Sequence, residues 1–99
     1  MVAYVYMLRC ADGSLYVGSA TGDDATHRVD QHNAAAFPGS YTSSRRPVTL
    51  IWCEHFARIT DAIAAERQIK GWSRAKKLAL AKGDWDRVRA LAKRKRGHD

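Results

Sequence analysis

An α+β domain is predicted, a three-stranded antiparallel sheet flanked by helices and formed as a single domain of 99 residues. Three observations predict it. The stretch Tyr4–Gly18 reads as two short strands of Val, Tyr, Leu and Met around an Asp12-Gly13 pair, a composition that favours a pleated hairpin over a helix. Val48–Phe56 is a third strand, apolar on both faces and therefore covered on both sides. The remaining segments carry apolar residues at helical spacing between capping residues and glycine. A chain of this length holds one modest core and not two.

The hairpin comes first, and its loop length decides what its tyrosines can do. A two-residue Asp12-Gly13 loop pairs Arg9 with Tyr16 and separates Tyr6 and Tyr16 onto opposite faces. A three-residue Ala11-Asp12-Gly13 loop, with Gly13 left-handed, pairs Cys10 with Ser14 instead. Tyr6 then lies opposite Gly18 and Tyr16 opposite Leu8, which makes the two phenols diagonal neighbours on one face. The second register is favoured, because a left-handed glycine in third place is the commoner form of such loops. Tyrosine is also simply a good strand residue, and the hairpin alone requires no function.

Ser19–Asp24 reads as a polar loop, with Asp23 or Asp24 capping a helix that runs to about Ala35. Arg28 and His32 stack one turn apart on the face that carries Val29. An arginine at a helix edge and a histidine at its C-terminal end also suit a purely structural helix. The long segment from Asn33 to Pro47 is expected to be a functional loop. In it Tyr41, Arg45 and Arg46 interleave with small hydroxyl residues, a mix suited to phosphate contacts and base stacking. In the third strand Val48, Leu50 and Trp52 are assigned to one face, and Thr49, Ile51 and Cys53 to the other.

Thr60 is expected to cap a helix over 61–70. Its apolar stripe runs through Ile59, Ala62/Ile63 and Ile69, with Glu66 in the middle. A carboxylate on a core-facing stripe is costly unless it is paired, hydrogen-bonded or metal-bound. Two further helices are predicted, from the Ser73 cap to Lys82 and from the Asp84 cap to about Lys95, with Gly83 between them. Ala75, Leu78 and Ala81, then Trp85, Val88, Leu91 and Ala92, form their buried stripes, and Trp72 and Trp85 are read as core anchors.

Charge is unevenly placed. The net charge is +7, yet residues 1–71 hold seven Lys/Arg and seven Asp/Glu; residues 72–99 hold ten against three, which supplies the whole excess. A neutral body with a basic C-terminal third points to a polyanionic partner, although Lys and Arg are also ordinary residues of solvated helix faces. Lys76 and Lys77 are placed to reach a phosphate, and the Lys93–Arg96 run also suits a helix C-terminus. No basic-then-apolar leader and no run of about 18 apolar residues occurs. Cys10 and Cys53 match no metal spacing and are expected as buried free thiols. A cytoplasmic protein with no membrane partner is expected.

Tyr4-Val5-Tyr6, followed after nine residues by Tyr16-Val17-Gly18, resembles the paired motifs of the GIY-YIG nuclease domain, with Tyr4 where the family name has glycine. The Tyr-Thr-x-Ser-Arg-Arg-Pro string at 41–47 resembles the small stand-alone bacterial branch, UPF0213-like, and the Ala-Glu-Arg-Gln-Ile-Lys-Gly-Trp string at 65–72 resembles the setting of the family's metal-ligand glutamate. The likeness covers most of residues 2–80. It implies a nuclease domain over 1–83, with 84–99 a basic helix and tail packed on the same domain.

The resemblance further implies a metal-dependent endonuclease hydrolysing DNA phosphodiester bonds, selective for structure or weakly specific, with a place in repair or recombination. RNA stays open as a substrate, and no small-molecule cofactor is implied. Glu66 would be the protein ligand of Mg²⁺ (or Mn²⁺), Arg28 the cation on the phosphate, and Tyr16 a hydrogen-bond donor to phosphate or water. Tyr6 or His32 would be the general base, an open choice. A phenol with a reference pKa near 10 needs nearby cations to lower it, and Arg9 is a candidate, though a regular strand points it to the other face. A nucleic-acid-binding module without turnover, or an accessory protein docking through its C-terminal helices, are the rival readings.

Overall fold

The computed structural model describes residues 2–22, 24–34 and 39–96, with side chains as far as Leu91. The elements are β1 (Ala3–Arg9), β2 (Leu15–Thr21), α1 (Ala25–Asn33), β3 (Thr49–Phe56), α2 (Ile59–Lys70), α3 (Arg74–Ala81) and α4 (Trp85–Arg96). The three strands form the expected antiparallel sheet, and their order is β2-β1-β3.

The central strand organises everything else. Residues Ala3 to Leu8 are all at most 3 % exposed, so both faces of β1 are covered. Ala3, Val5 and Met7 face a core built with Val17, Ala62, Ile69, Ala79, Leu80 and Val88 from β2, α2, α3 and α4. Tyr4, Tyr6 and Leu8 face a second cluster with Ala20, Ala25 and Val48, against which Tyr16, Val29, Leu50 and Cys53 pack. Helix α1 and the 39–48 segment therefore cover one face of the sheet, and α2, α3 and α4 the other.

The three-residue hairpin loop forms. Cys10 N–H donates to Ser14 O at 2.8 Å and Gly13 N–H to Cys10 O at 2.9 Å, with Gly13 at φ +85°. This left-handed turn puts Tyr6 opposite Gly18 and Leu8 opposite Tyr16, and so places both phenols on the α1 face. Arg74 Nη1 donates to Gly13 O at 2.6 Å, tying the turn to α3.

Several boundaries differ from the pattern-based expectation. Residues 19–21 belong to β2 and not to a loop, because they continue the ladder opposite Val5, Tyr4 and Ala3. Asp24 caps α1 by accepting from Thr26 N–H, and the helix stops at Asn33; Asp23 and Ala35 lie outside the described residues. Helix α2 starts at Ile59, from Arg58 and not Thr60, with no side-chain cap. Ser73 caps α3 by accepting from Lys76 N–H, and Asp84 accepts from Arg87 N–H at the start of α4. The side chains of the Lys93–Arg96 run, and Ala92, lie outside the described residues.

Face assignments change for a definite reason. A bulge between Met7 and Leu8 sets Trp52 opposite Met7 but Leu50 opposite Leu8. The extra residue reverses the alternation. Ile51 and Trp52 thus pack on the three-helix core, while Leu50 and Cys53 join the tyrosine side. In α3 the buried residues are Ala79 and Leu80; Leu78 is half-buried and Ala75 exposed, because the helix presents a different edge to the sheet. Ile63 and Trp85 are exposed as well, Trp85 at 52 %, so Trp85 does not anchor the core. Trp72 does pack on it, with Lys76 Nζ 4.0 Å from the centre of its ring. Both cysteines are free thiols, Cys10 buried and Cys53 half-buried, where burial pushes the Cys53 thiol up.

These positions separate two substitutions that the apolar pattern treats alike. Met7→Ala, at a fully buried site, should cost about 2–5 kcal/mol. Trp85→Ala should cost no more than about 1 kcal/mol despite removing the larger side chain. Chemical denaturation of the two variants measures both.

Candidate active site

On the α1 face of the sheet a cleft of about 270 Å³ is lined by Tyr6, Tyr16, Ser19, Arg28, His32 and Ser40. Strand β1 supplies Tyr6, β2 supplies Tyr16 and Ser19, and α1 supplies Arg28 and His32 one helical turn apart. Gly18 sets how close they come. A Cβ on Gly18 would lie 2.5 Å from Tyr6 Oη, 2.7 Å from Tyr6 Cζ and 3.0 Å from Tyr16 Cε2. Only hydrogen at this position lets the Tyr6 ring lie across β2, and its phenol thereby reaches α1.

There Tyr6 Oη meets His32 Nε2 at 3.0 Å. The rings of Tyr6, Tyr16 and His32 form a triangle with centroids 5.4–6.2 Å apart, Tyr16 standing edge-on to the imidazole. On the far side of the imidazole, Nδ1 lies 2.6 Å from Thr42 Oγ1, and Thr42 Oγ1 lies 3.2 Å from Ser40 Oγ. His32 and Thr42 are the buried polar side chains of the described core, at 3 % and 1 % exposure.

Burial controls the titration of this group. Tyr6 is pushed up from an ordinary phenol, first by burial and then by the Tyr16 phenol, against the lowering pull of Arg28. The expectation that nearby cations lower Tyr6 is therefore overturned. Arg9, opposite Leu15 and Thr49 at the end of β1, shares the face away from Tyr6, as regular alternation requires. His32 is pushed below 6.5 by burial and by the Arg28 charge, so the imidazole is neutral at pH 7.

Glu66 stands at the β2 edge of the cleft. Ser19, which lines the cleft, donates its hydroxyl to Glu66 Oε1, and Lys70 Nζ lies 2.7 Å from Oε2. Burial raises the carboxyl, but the hydrogen bonds from Lys70 and Ser19 with the charges of Lys70 and Arg67 prevail, and it ionises below its usual range. Among the described residues no group of three His, Cys, Asp or Glu side chains converges. The acidic donor joined to the cleft through Ser19 is the ionised Glu66 carboxylate. It suits a hard, largely hydrated cation of the Mg²⁺ type better than a closed nitrogen and sulfur site.

The 39–47 segment closes the cleft and is itself pinned at several points. Asn33 bonds both the N–H and the C=O of Val48, at 2.7 and 3.1 Å, and Ala11 N–H donates to Arg45 O at 2.9 Å. Tyr41 stacks on Tyr16 with 21° between the rings, and the Arg45 guanidinium sits 3.9 Å over Tyr41. Arg45 also reaches Asp12 at 3.2 Å and Tyr41 O at 2.7 Å, while Arg46 donates to Ser43 O and Asn33 O.

The structure thus brings together Tyr6, Tyr16, Arg28 and His32, with Glu66 joined through Ser19. Tyr41 and Arg45 border the cleft but are already engaged with one another, and Arg46 with its own loop. Arg9, Lys76 and Lys77 do not line it; Lys76 is placed over Trp72 instead. Pattern reasoning missed Ser19, Ser40 and Thr42. Small hydroxyl residues in polar stretches carry no periodic signal, and only the quoted string at 41–47 marked Thr42 at all. Gly18→Ala should displace the Tyr6 ring and destabilise the fold by about 1–3 kcal/mol, readable by denaturation and by the Tyr6 ring resonances.

Residues 2–79 match the family model described as the GIY-YIG catalytic domain. A UPF0213 protein of Syntrophus aciditrophicus is 39 % identical over 85 residues, covering 86 % of this chain and 95 % of that protein. A UPF0213 protein of Staphylococcus aureus is 42 % identical over 79 residues, covering 80 % and 93 %. The solution NMR structure of a UPF0213 protein from Bacillus halodurans is 36 % identical, with a TM-score of 0.52 over 83 % of this chain and 84 % of that one. A second NMR structure, of an E. faecalis protein, is 32 % identical with a TM-score of 0.54 over 86 % and 88 %. With most of its length matched and the motif tyrosines meeting in one cleft, this chain belongs to the GIY-YIG catalytic-domain family, a family of nuclease domains.

Proposed function

We propose that this protein is a cytoplasmic endonuclease that hydrolyses DNA phosphodiester bonds with a divalent cation held at Glu66. The carrying observation is the Tyr6–His32 contact at 3.0 Å beside Arg28, all in one cleft. Hydrolysis needs a base for the attacking water, positive charge for the phosphate oxygens, and support for the leaving 3′ oxygen. A cation such as Mg²⁺ or Mn²⁺ would supply Lewis acidity and stabilise the leaving oxygen. Lys70, half exposed on α2, can swing off the carboxylate that it shares with such a cation.

The protein's own residues supply the rest. Arg28 offers a fixed cation to the non-bridging oxygens, and Tyr16 donates a hydrogen bond to the phosphate or the water. Tyr6 and His32 act in series, and not as alternatives. The water gives a proton to Tyr6 Oη as Tyr6 gives its own to His32 Nε2. The water oxygen bonds to phosphorus, the P–O3′ bond breaks, the 3′ oxygen takes a proton from solvent, and the imidazolium returns its proton to solvent. Charge never has to rest on the buried phenol, whose ionisation burial opposes.

The basic C-terminal third would hold DNA electrostatically, with Lys76, Lys77 and Arg9 outside the cleft as backbone contacts. Residues 84–99 then serve as a basic extension of the 1–83 nuclease domain. Specificity would rest on DNA shape, such as flaps, nicks or branches in repair or recombination, with RNA as a competing substrate class.

Wild type and Glu66→Ala, assayed with Mg²⁺ on single-stranded, duplex, nicked and branched DNA, test the reading. Wild type should cleave, and the variant should lose on the order of 100-fold or more while still binding. Binding without cleavage by both proteins, across Mg²⁺ and Mn²⁺, would instead identify a nucleic-acid-binding module.

The pH profile tests the base. Among the described residues the titratable and charged groups facing His32 are Tyr6, Tyr16 and Arg28, and the neutral imidazole is the active form. The rate of wild-type cleavage should therefore fall as pH drops through a value below 6.5, and level off above it. A rate still climbing beyond pH 9 would mean that a tyrosinate, and not His32, takes the proton.

A further inference from the structure

The Tyr6–His32 contact leaves one question of chemistry, namely which imidazole nitrogen carries hydrogen. A neutral imidazole has one donor and one acceptor, and its second partner decides which is which. The second partner is Thr42, ten residues further along the chain, with Oγ1 at 2.6 Å from Nδ1. Thr42 is 1 % exposed, so no solvent competes for this contact.

We propose that Thr42 is a positioning residue of this site: its hydroxyl oxygen accepts the Nδ1–H of His32 and leaves Nε2 bare to take the proton of Tyr6. Two arrangements satisfy the distances. In one, Tyr6 donates to Nε2 and Nδ1–H donates to Thr42. In the other, Thr42 donates to Nδ1 and Nε2–H donates to Tyr6. The first pairs the strongest acid of the set, the phenol, with its strongest base, the bare imidazole nitrogen. A phenol donates better than an aliphatic alcohol, and a bare imidazole nitrogen accepts better than a phenol oxygen.

Thr42 can then pass its own hydrogen to Ser40 Oγ, 3.2 Å away on the cleft wall. The alternative would leave Tyr6 without a proton acceptor in His32, and the relay could not run.

The surrounding loop holds Thr42 in this place. Arg45 N–H donates to Thr42 O at 3.0 Å, and Ser43 N–H to Ser40 O at 3.1 Å, closing successive turns of the segment. Arg45 O accepts from Ala11 N–H in the hairpin, which ties the turns to the sheet that carries Tyr6. The 39–47 segment is therefore part of the proposed proton-transfer machinery, beyond any contact with substrate.

The positioning role rests on the nuclease reading; the hydrogen-bond assignment does not, and the experiment separates them. Side-chain ¹⁵N NMR of His32 in the full chain should show the Nδ1–H tautomer. In Thr42→Val, which keeps the shape and removes the hydroxyl, the tautomer preference should weaken. The His32 titration should move to lower pH, because an acceptor that also favours the imidazolium has gone. Thr42→Ser should restore both. In cleavage assays Thr42→Val should lower kcat by about 10-fold to 100-fold with KM little changed, less than the whole contribution of a positioned base, and Thr42→Ser should recover most of it.

An Nε2–H tautomer in the unmodified protein overturns the proposal, even if Thr42→Val fails to fold. So does a folded Thr42→Val variant whose titration is unchanged or moves upward. A changed tautomer with unchanged kcat removes the positioning role. If the unmodified protein cleaves nothing, that role falls with the nuclease reading, whereas the tautomer assignment stands or falls on the spectrum alone.

Discussion

The structure depends on a central strand with no free face. From Ala3 to Leu8, β1 is buried on both sides, hydrogen-bonded to β2 on one flank and β3 on the other. One set of alternating side chains closes the core against the three C-terminal helices, and the other set lines the tyrosine side. Each fully buried large side chain contributes about 1.5–3 kcal/mol, so this strand supplies a large part of the stability of a small domain. The same burial that stabilises the strand immobilises Tyr6.

That coupling explains the chemistry of the site. A phenol fixed in an apolar layer does not ionise readily, and the nearby Arg28 does not reverse the effect. What the site offers instead is a neutral imidazole in contact with the phenol, its own charge suppressed by burial and by the same arginine. Two groups, each poor alone as a charged base, would form the route along which the proposed reaction moves a proton. Glu66 follows a different logic. It sits at the β2 edge, where a serine and a lysine keep it ionised and within reach of solvent.

Much of this was legible in the chain. The hairpin register followed from a glycine in third place of the turn, and with it the placement of Tyr6 opposite Gly18. Helical spacing paired Arg28 with His32, and Glu66 stood out as a carboxylate among apolar residues. Other features were not legible. Trp52 changed faces because β3 carries one extra residue, Ile51, opposite the Met7–Leu8 step of β1, and period-2 counting has no means of seeing an extra residue. Trp85 looked like a core residue because size and apolarity suggest burial, yet the start of α4 turns it outward.

Local order, then, lay in the sequence itself: which segments extend, which coil, where the turn residues bend the chain, and which charged residues share a helix face. These depend on backbone preferences and periodicity, properties of neighbours along the chain. Only the tertiary structure decided the meeting of β1, α1 and the 39–47 segment around His32. With it came the sign of the Tyr6 and His32 shifts and the place of Thr42 and Ser19. Burial and hydrogen-bond partnership belong to residues brought together from 10 to 47 positions apart, and no local pattern records them.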